Sequence, residues 1–212
     1  MTTHTIKVLL VDDHAIARNG VRLMLGTAGD IEVAGEAANA QQAMLLVQAD
    51  EFDVALVDIT MPGKNGLDLL RALRVERPKL AVLILSTYAE DIYAVRALKL
   101  GAAGYLTKDA PTGVLVAAVR KAAAGGKHVS PALLEKLASL IGGGGMATHE
   151  NLSNRELEVF KLIAAGESLV QVGKTLHLSP NTVTTYRARI LEKMGMGSNA
   201  ELTRYALENG II

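Results

Sequence analysis

The sequence contains no cysteine. Disulfides and thiolate metal sites are therefore excluded, and a reducing cytoplasm is the expected compartment. Aromatic residues make up 3% of the 212, with no tryptophan, so any core must be aliphatic and alanine-rich. No stretch approaches the roughly 18 apolar residues a membrane span needs. The first residues, MTTHTIKVLLVDD, lack the basic region and long apolar run of a secretory signal. No membrane partner is expected. Neither sign of charge dominates: 22 basic residues face 22 acidic ones. After Gly145 the balance is seven against seven, and before it fifteen against fifteen. Bulk attraction to nucleic acid is thereby excluded in both parts, and any DNA affinity must come from local placement.

What is present is apolar material in an ordered rhythm. Half the residues are hydrophobic, enough for one large domain or two small ones. The runs IKVLLV (6–11), IEVAGEA (31–37), DVALV (53–57), LAVLILS (80–86) and AGYLT (103–107) read as buried strands. Helical patterns of ten to fifteen residues lie between them. The first places Ile16, Val21, Leu23, Met24 and Leu25 on a broad apolar face, the second starts at Asn39 as N-cap, and the last runs from Pro111 to Gly125. Continuous apolar strands alternating with helices predict a parallel sheet covered on both faces, a doubly wound α/β domain. Its site belongs at the carboxyl ends of the strands.

Those strand ends carry chemistry. The first strand finishes at Asp12 and Asp13, the third at Asp58, the fourth at Ser86 and Thr87, the fifth at Lys108. One such acid could merely cap its strand. Polar groups on consecutive loops of one rim point instead to a built site. Three carboxylates together need a cation, and an all-oxygen group without His or Cys suits a hard ion, Mg²⁺ or Mn²⁺. An amine at Lys108 and a hydroxyl at Ser86 beside a free carboxylate are what phosphoryl transfer to Asp58 requires.

After Gly126 the pattern changes. SPALLEKLASLI reads as a short helix, and GGGG at 142–145 as flexible linker. About 65 helical residues follow. Ser153 and Glu156 form a capping box, and Ser179 with Pro180 opens a helix. In SLVQVGKTLHL the pattern places Val170, Val172 and Leu176 inward. In TVTTYRARILEKM, Val183, Tyr186, Ile190 and Met194 point inward at helical spacing, so Thr184, Thr185 and Ala188 point outward where they can reach base edges. Arg187, Arg189 and Lys193 flank them and suit phosphates, as does the helix start at Thr182. An ordinary surface helix with three cations and the single acid Glu192 would read similarly.

The segments VLLVDDH, VALVDITMPGKNG, VLILSTY and GYLTKD resemble the four signatures of two-component receiver domains, including the spacing from Asp58 to Ser86 to Lys108. LSNRELEVFKLIAAGES followed by LSPNTVTTYRARILEKMG resembles the LuxR-type helix-turn-helix domain of the NarL/FixJ family. The resemblance implies a flavodoxin-like receiver over 1–126, a linker over 127–148 and a DNA-binding domain over 149–212. It implies that a histidine kinase phosphorylates Asp58, that Asp12, Asp13, Asp58 and the Thr60 carbonyl hold Mg²⁺, and that Lys108 binds phosphoryl oxygens. Ser86 would rotate toward the phosphate and Tyr105 swing inward, while Thr60 and Tyr88 match positions that tune phosphate lifetime. Phosphorylation would free the recognition helix, and homodimers would bind paired half-sites on double-stranded DNA. Leu202, Tyr205 and Ala206 of the last helix (198–208) would be the dimer contact, or would pack within the domain; the sequence does not separate the two. There are departures. Asp109 stands where many receivers have proline. LVQVGKTL is an atypical scaffold helix. Thr184 and Tyr186 replace a common Lys and His, so the operator cannot be borrowed from relatives.

Two rivals share the fold. A phosphatase would use Asp58 as a transient nucleophile, but such sites carry an acid two residues on, and position 60 is Thr. A flavin-type binding module would have no use for Asp12, Asp13 and Lys108 together.

Overall fold

The computed structural model describes residues 5–61, 65–87, 90–135 and 149–212, with the side chains of 90–92 set aside. Tyr88, the glycine run and the end of the expected helix at 130–141 lie outside the described residues. The chain divides into two compact units, Met1–Ile141 and Gly142–Ile212.

In the first unit five strands form one parallel sheet: β1 (Ile6–Val11), β2 (Ile31–Ala37), β3 (Val54–Asp58), β4 (Ala81–Ser86) and β5 (Gly104–Thr107), in the order β2-β1-β3-β4-β5. The helices α1 (Ala15–Gly26), α2 (Ala40–Ala49), α3 (Gly66–Glu76), α4 (Glu90–Lys99) and α5 (Thr112–Ala123) alternate with them. The expected doubly wound α/β architecture is therefore present. Its reason is the side-chain period. Val8, Leu10, Val54, Leu56, Leu83 and Leu85 point to one face, where Val21 and Leu25 of α1 and Leu115 and Val119 of α5 cover them. The intervening Leu9, Val11, Ala55, Val57 and Ile84 are just as buried on the other face. A strand buried on both faces can carry no alternation, hence the unbroken apolar runs. Truncating a central member such as Leu56 to alanine would cost about 2–5 kcal/mol.

The broad apolar face expected of α1 is narrower than the sequence implied. Val21 and Leu25 are buried, but Ile16 is 90% and Leu23 67% exposed. At 100° per residue these two lie on the side opposite Val21 and Leu25, and only one side meets the sheet. Asn39 caps α2 as expected, its side chain accepting from the Gln42 N–H at 2.9 Å. Beyond α5, the His128 N–H donates to the Ala103 carbonyl at 2.7 Å, and His128 bridges Gly104 at the β5 edge. A Cβ at Gly104 would meet the His128 carbonyl at 2.5 Å, so only glycine permits this approach. A further helix, α6, covers 131–135, its first turn capped by Ser130 Oγ accepting from the Leu133 N–H.

Among the described residues the second unit has a 3-10 turn (His149–Asn151) and four helices: α7 (Asn154–Ala164), α8 (Leu169–Leu176), α9 (Pro180–Met194) and α10 (Asn199–Glu208). The Ser153–Glu156 capping box is formed, and Ser179 caps α9 with Pro180 at its first position. Helix α7 packs against α8, α9 and α10, and α8 against α9. Leu157, Phe160, Ile163, Val172, Val183 and Ile190 are buried in this unit's helices, with Met194 nearly so. Val170 is exposed rather than inward, because it lies 200° around the helix from buried Val172. The turn between α8 and α9 is tight. His177 takes a left-handed conformation (φ 53°), and the Leu178 N–H returns to the Gly173 carbonyl at 2.8 Å.

Candidate functional site

The rim forms because four parallel strands end at one level. Val57 pairs with Val11 and with Ile84, and Ser86 pairs with Thr107, so the residues that follow emerge side by side. Asp12 and Asp58 are buried, 1% and 3% exposed. Lys108 Nζ lies between them, donating to Asp12 Oδ2 at 2.6 Å and to Asp58 Oδ2 at 2.9 Å. The other oxygen of each carboxylate accepts a backbone bond. Asp12 Oδ1 takes the His14 N–H at 2.8 Å, and Asp58 Oδ1 the Thr60 N–H at 3.3 Å. Arg18 anchors the loop by donating to the Asp12 carbonyl at 2.6 Å.

Burial sets the electrostatics. It raises the Asp58 carboxyl above its ordinary value, outweighing the hydrogen bond and charge of Lys108, and the charge of Asp12 adds to the rise. Burial pulls the Lys108 ammonium down, but its hydrogen bonds to Asp12 and Asp58 outweigh that and hold it above the ordinary lysine value. Lys108 is thus a fixed positive charge, and Asp58 a carboxylate whose charge is costly unless compensated.

Among the described residues, the others singled out by sequence lie as follows. Ser86, fully buried, ends β4, and its carbonyl accepts the Lys108 N–H at 2.8 Å. Tyr105 is 1% exposed, in the strand beside it. Thr60 is exposed. Gly66 was not singled out. A Cβ there would fall 2.0 Å from the Asp58 carbonyl oxygen, so glycine alone lets α3 start against the strand that ends in Asp58. Asn65 caps that helix, accepting from the Asp68 N–H at 2.9 Å.

The donor set can hold a cation. Among the described residues, Asp12, Asp13, His14 and Asp58 each offer one ligand atom, all within 4.8 Å of one another. The carboxylates are hard oxygen donors of the kind a divalent cation takes, set close enough together to share one ion. Beside these oxygens, His14 Nδ1 stands 2.9 Å from Asp13 Oδ1 and 3.5 Å from Asp12 Oδ1. Its imidazole was hidden in sequence by an N-cap position, where the ring makes no capping bond.

Residues 8–120 match the model of the response regulator receiver domain, and residues 150–206 that of the bacterial regulatory proteins of the luxR family. The chain belongs to the LuxR-type response regulators. It is 35% identical over 209 residues to the response regulator GacA of Pseudomonas aeruginosa, covering 98% of each chain. It is 31% identical over 208 residues to the response regulator UvrY of Escherichia coli, covering 97% of this chain and 95% of that one. The crystal structure of the response regulator ChrA of a heme-sensing two-component system matches with a TM-score of 0.54 and 32% identity, over 98% and 99% of the two chains. RcsB of Salmonella enterica serovar Typhimurium, solved on promoter DNA, shares the fold at a TM-score of 0.68 and 23% identity, over 95% and 98%. The regulator thus joins a receiver to a DNA-binding domain and acts in phosphorylation-dependent control of transcription. The relatives named here are response regulators, not phosphatases. No helix among the described residues is long and apolar enough to cross a membrane.

On the regulator's α9, Thr182, Thr184, Thr185, Ala188 and Arg189 are exposed, and Arg187 is partly so. Thr184 and Thr185 donate their hydroxyls to the Pro180 and Asn181 carbonyls at 3.0 Å each. Arg187 Nε donates to Asn199 Oδ1 at 2.7 Å, tying α9 to the first turn of α10. Lys193 is already engaged: its Nζ donates to Glu156 Oε2 at 2.7 Å. Burial raises that carboxyl, but the Lys193 bond, then the Ser153 N–H and hydroxyl, outweigh it and hold Glu156 below its ordinary value. At α10 packing within the domain, not a dimer contact, takes up Leu202 and Ala206. Leu202 and Ala206 are fully buried on the helix that packs against α7, and the Tyr205 hydroxyl lies 3.0 Å from His149 Nδ1 with its ring edge-on to Phe160. Leu202 and Ala206 are one turn apart, so they share the inward face.

Proposed function

We propose that Asp58 is the phosphoacceptor of the regulator and that a histidine kinase is its donor. The observation that carries this is Lys108 Nζ bonded to two buried carboxylates at once, on a rim whose other loops end in Ser86 and Asp13. An Asp58 oxygen attacks phosphorus, the phosphorus–nitrogen bond of the phosphohistidine breaks, and the imidazole leaves with the electron pair. Lys108 turns from the Asp58 carboxylate to the new phosphoryl oxygens. Ser86 donates its hydroxyl to one of them, and Tyr105 fills the space behind it. Asp12, Asp13, Asp58 and the Thr60 carbonyl would hold Mg²⁺, which would supply the remaining positive charge when bound. The role is regulatory rather than enzymatic, and the place of action is the cytoplasm.

In the same reading the receiver spans 1–126, the connecting segment 127–148 and the DNA-binding domain 149–212. Helix α9 enters the major groove of double-stranded DNA with Thr182, Thr184, Thr185 and Ala188 toward the bases. With their protons given to their own helix, Thr184 and Thr185 offer an acceptor oxygen and a methyl, which suit the amino group of cytosine or adenine and the methyl of thymine. Arg187 and Arg189 take phosphates, and homodimers engage paired half-sites once Asp58 is phosphorylated.

Incubation with acetyl phosphate and Mg²⁺ tests the core of this. Wild type gains an acid-stable, base-labile phosphate and Asp58→Asn does not. Equal labelling of both chains overturns the assignment. Binding-site mapping across a genome with wild type and Asp58→Asn then separates phosphorylation-dependent sites from the rest.

A further inference from the structure

We propose that Asn199 is a positioning residue for DNA binding, holding Arg187 so that the two terminal nitrogens of its guanidinium meet a backbone phosphate end-on. The inference rests on the reading of α9 as the helix that enters the groove. It goes beyond that reading in assigning Asn199 and the edge of Arg187 that is used.

Three observations carry it. First, Arg187 leaves α9 beside its packing seam. At about 100° per residue it lies roughly 40° from the middle of the buried stripe of Val183, Ile190 and Met194, and roughly 60° from outward Thr184. A side chain rooted there can lie along the seam or reach outward, and fixing one course costs rotamer freedom. Second, the course is fixed. Arg187 Nε donates to Asn199 Oδ1 at 2.7 Å. A guanidinium only donates, so the amide must turn its oxygen toward it. Third, Asn199 is itself held. It opens α10 directly after the N-cap Ser198, whose side chain accepts from the Glu201 N–H. The Glu201 carboxylate takes the Gly197 N–H and the Ser198 hydroxyl at 3.0 Å each, and the Asn199 carbonyl takes the Thr203 hydroxyl at 3.1 Å. Ser198 fills the cap, so the Asn199 amide is not needed for capping, and asparagine is a weak helix former.

The geometry of the fork then decides what is left. A planar guanidinium offers two edges to a pair of phosphate oxygens: Nε with one terminal nitrogen, or the two terminal nitrogens together. The Asn199 bond occupies the first edge and leaves the second. Among the described residues no carboxylate pairs with Arg187, and an amide oxygen carries no net charge, so the full positive charge stays on that second edge. A side chain already held at Nε loses less freedom when the phosphate arrives. Asn199 therefore adds affinity without changing how many phosphates the helix neutralises. A lysine at 187 has no fork, and one point charge cannot reproduce the arrangement.

The test uses the full-length chain, treated with acetyl phosphate and Mg²⁺, and a mixed-sequence duplex, with affinity read by fluorescence anisotropy over a range of salt concentrations. Arg187→Ala is expected to weaken binding and flatten the logarithmic salt slope by about 1. Asn199→Ala is expected to weaken binding about three- to tenfold at every salt concentration, with the slope of wild type. In the Arg187→Ala background the same change is expected to cost nothing further, because Asn199 acts through Arg187. Arg187→Lys should keep the slope and lose at least as much affinity as Asn199→Ala does. Circular dichroism melting is expected to show Asn199→Ala at least as stable as wild type. Asn199→Ala binding as tightly as wild type, or losing the same factor in both backgrounds, overturns the role of Asn199 and leaves the reading of α9 standing. Arg187→Ala with affinity and slope unchanged overturns the arginine contact and the proposal with it. A wild-type chain that binds no duplex overturns the reading of α9 as well.

Discussion

Lys108 Nζ lies 2.9 Å from Asp58 Oδ2, and its second bond reaches Asp12 Oδ2 at 2.6 Å. One ammonium therefore compensates two buried carboxylates that come from strands 46 residues apart in sequence. Removing it leaves both charges uncompensated, and a loss of about 3–5 kcal/mol is typical of such a break. Lys108→Met should lower the urea midpoint of the metal-free chain accordingly, and millimolar Mg²⁺ should recover much of the loss. A variant as stable as wild type in EDTA would show that the two carboxylates do not depend on this bond.

Gly66 bears on the same carboxylate from behind. Its missing Cβ is what allows the Asp58 carbonyl to approach the start of α3, and Gly66→Ala would place a methyl 2.0 Å from that oxygen. The strand end or the helix start must move. We expect a loss of about 2–4 kcal/mol and labelling by acetyl phosphate that is slowed well beyond the loss of folded protein. Labelling at the wild-type rate would mean that the rim tolerates the shift.

Lys161 gives a pH dependence. Burial pulls its ammonium down to about 8 from the ordinary 10.5, against the opposing charge of Glu158. The folded state disfavours the charged form, so the penalty is full below about 8 and fades as pH rises toward 10.5. Lys161→Met should therefore be more stable than wild type by about 1–3 kcal/mol at pH 7, and the advantage should shrink by pH 10. Calorimetry of both full-length chains at several pH values reads this directly. A difference that stays constant with pH would remove Lys161 as its source.

The cations of α9 divide into two kinds. Arg189 is exposed and Arg187 partly so, whereas Lys193 is bonded to buried Glu156. Arg187→Ala with Arg189→Ala should weaken binding to all duplexes and flatten its salt dependence by about 1–2 in logarithmic slope. Lys193→Ala should leave that slope alone and lower stability by about 1 kcal/mol, because its half-exposed ammonium is screened. A slope flattened by Lys193→Ala would return that residue to the phosphate contacts.

Glu156 supplies the complementary pH effect. Its carboxyl is held below the ordinary 4.5, so the stability it contributes is present above that value and lost as pH falls through the lower folded value. Glu156→Gln should be destabilised at pH 7 and approach wild type as the pH drops below 4.5. Melting curves of both chains between pH 7 and 3 would show this convergence, and parallel curves would contradict it.

What the sequence by itself determined is whatever depends on near neighbours. Unbroken apolar runs marked the five strands, since a strand covered on both faces leaves no polar position. Ser153, Ser179 and Asn39 marked helix starts, since each cap bonds within its own first turn. The rim followed from topology, since parallel strands deliver their ends to one side, and Asp12, Asp58 and Lys108 had to emerge together. Only the tertiary structure decided which groups touch across long stretches of chain. It turned Ile16 and Leu23 outward, because one side of α1 suffices to cover the sheet. It gave Lys193 to Glu156 and buried Leu202 and Ala206 against α7. Such pairings depend on angles between whole elements, and a pattern of residues along one chain carries no record of those angles.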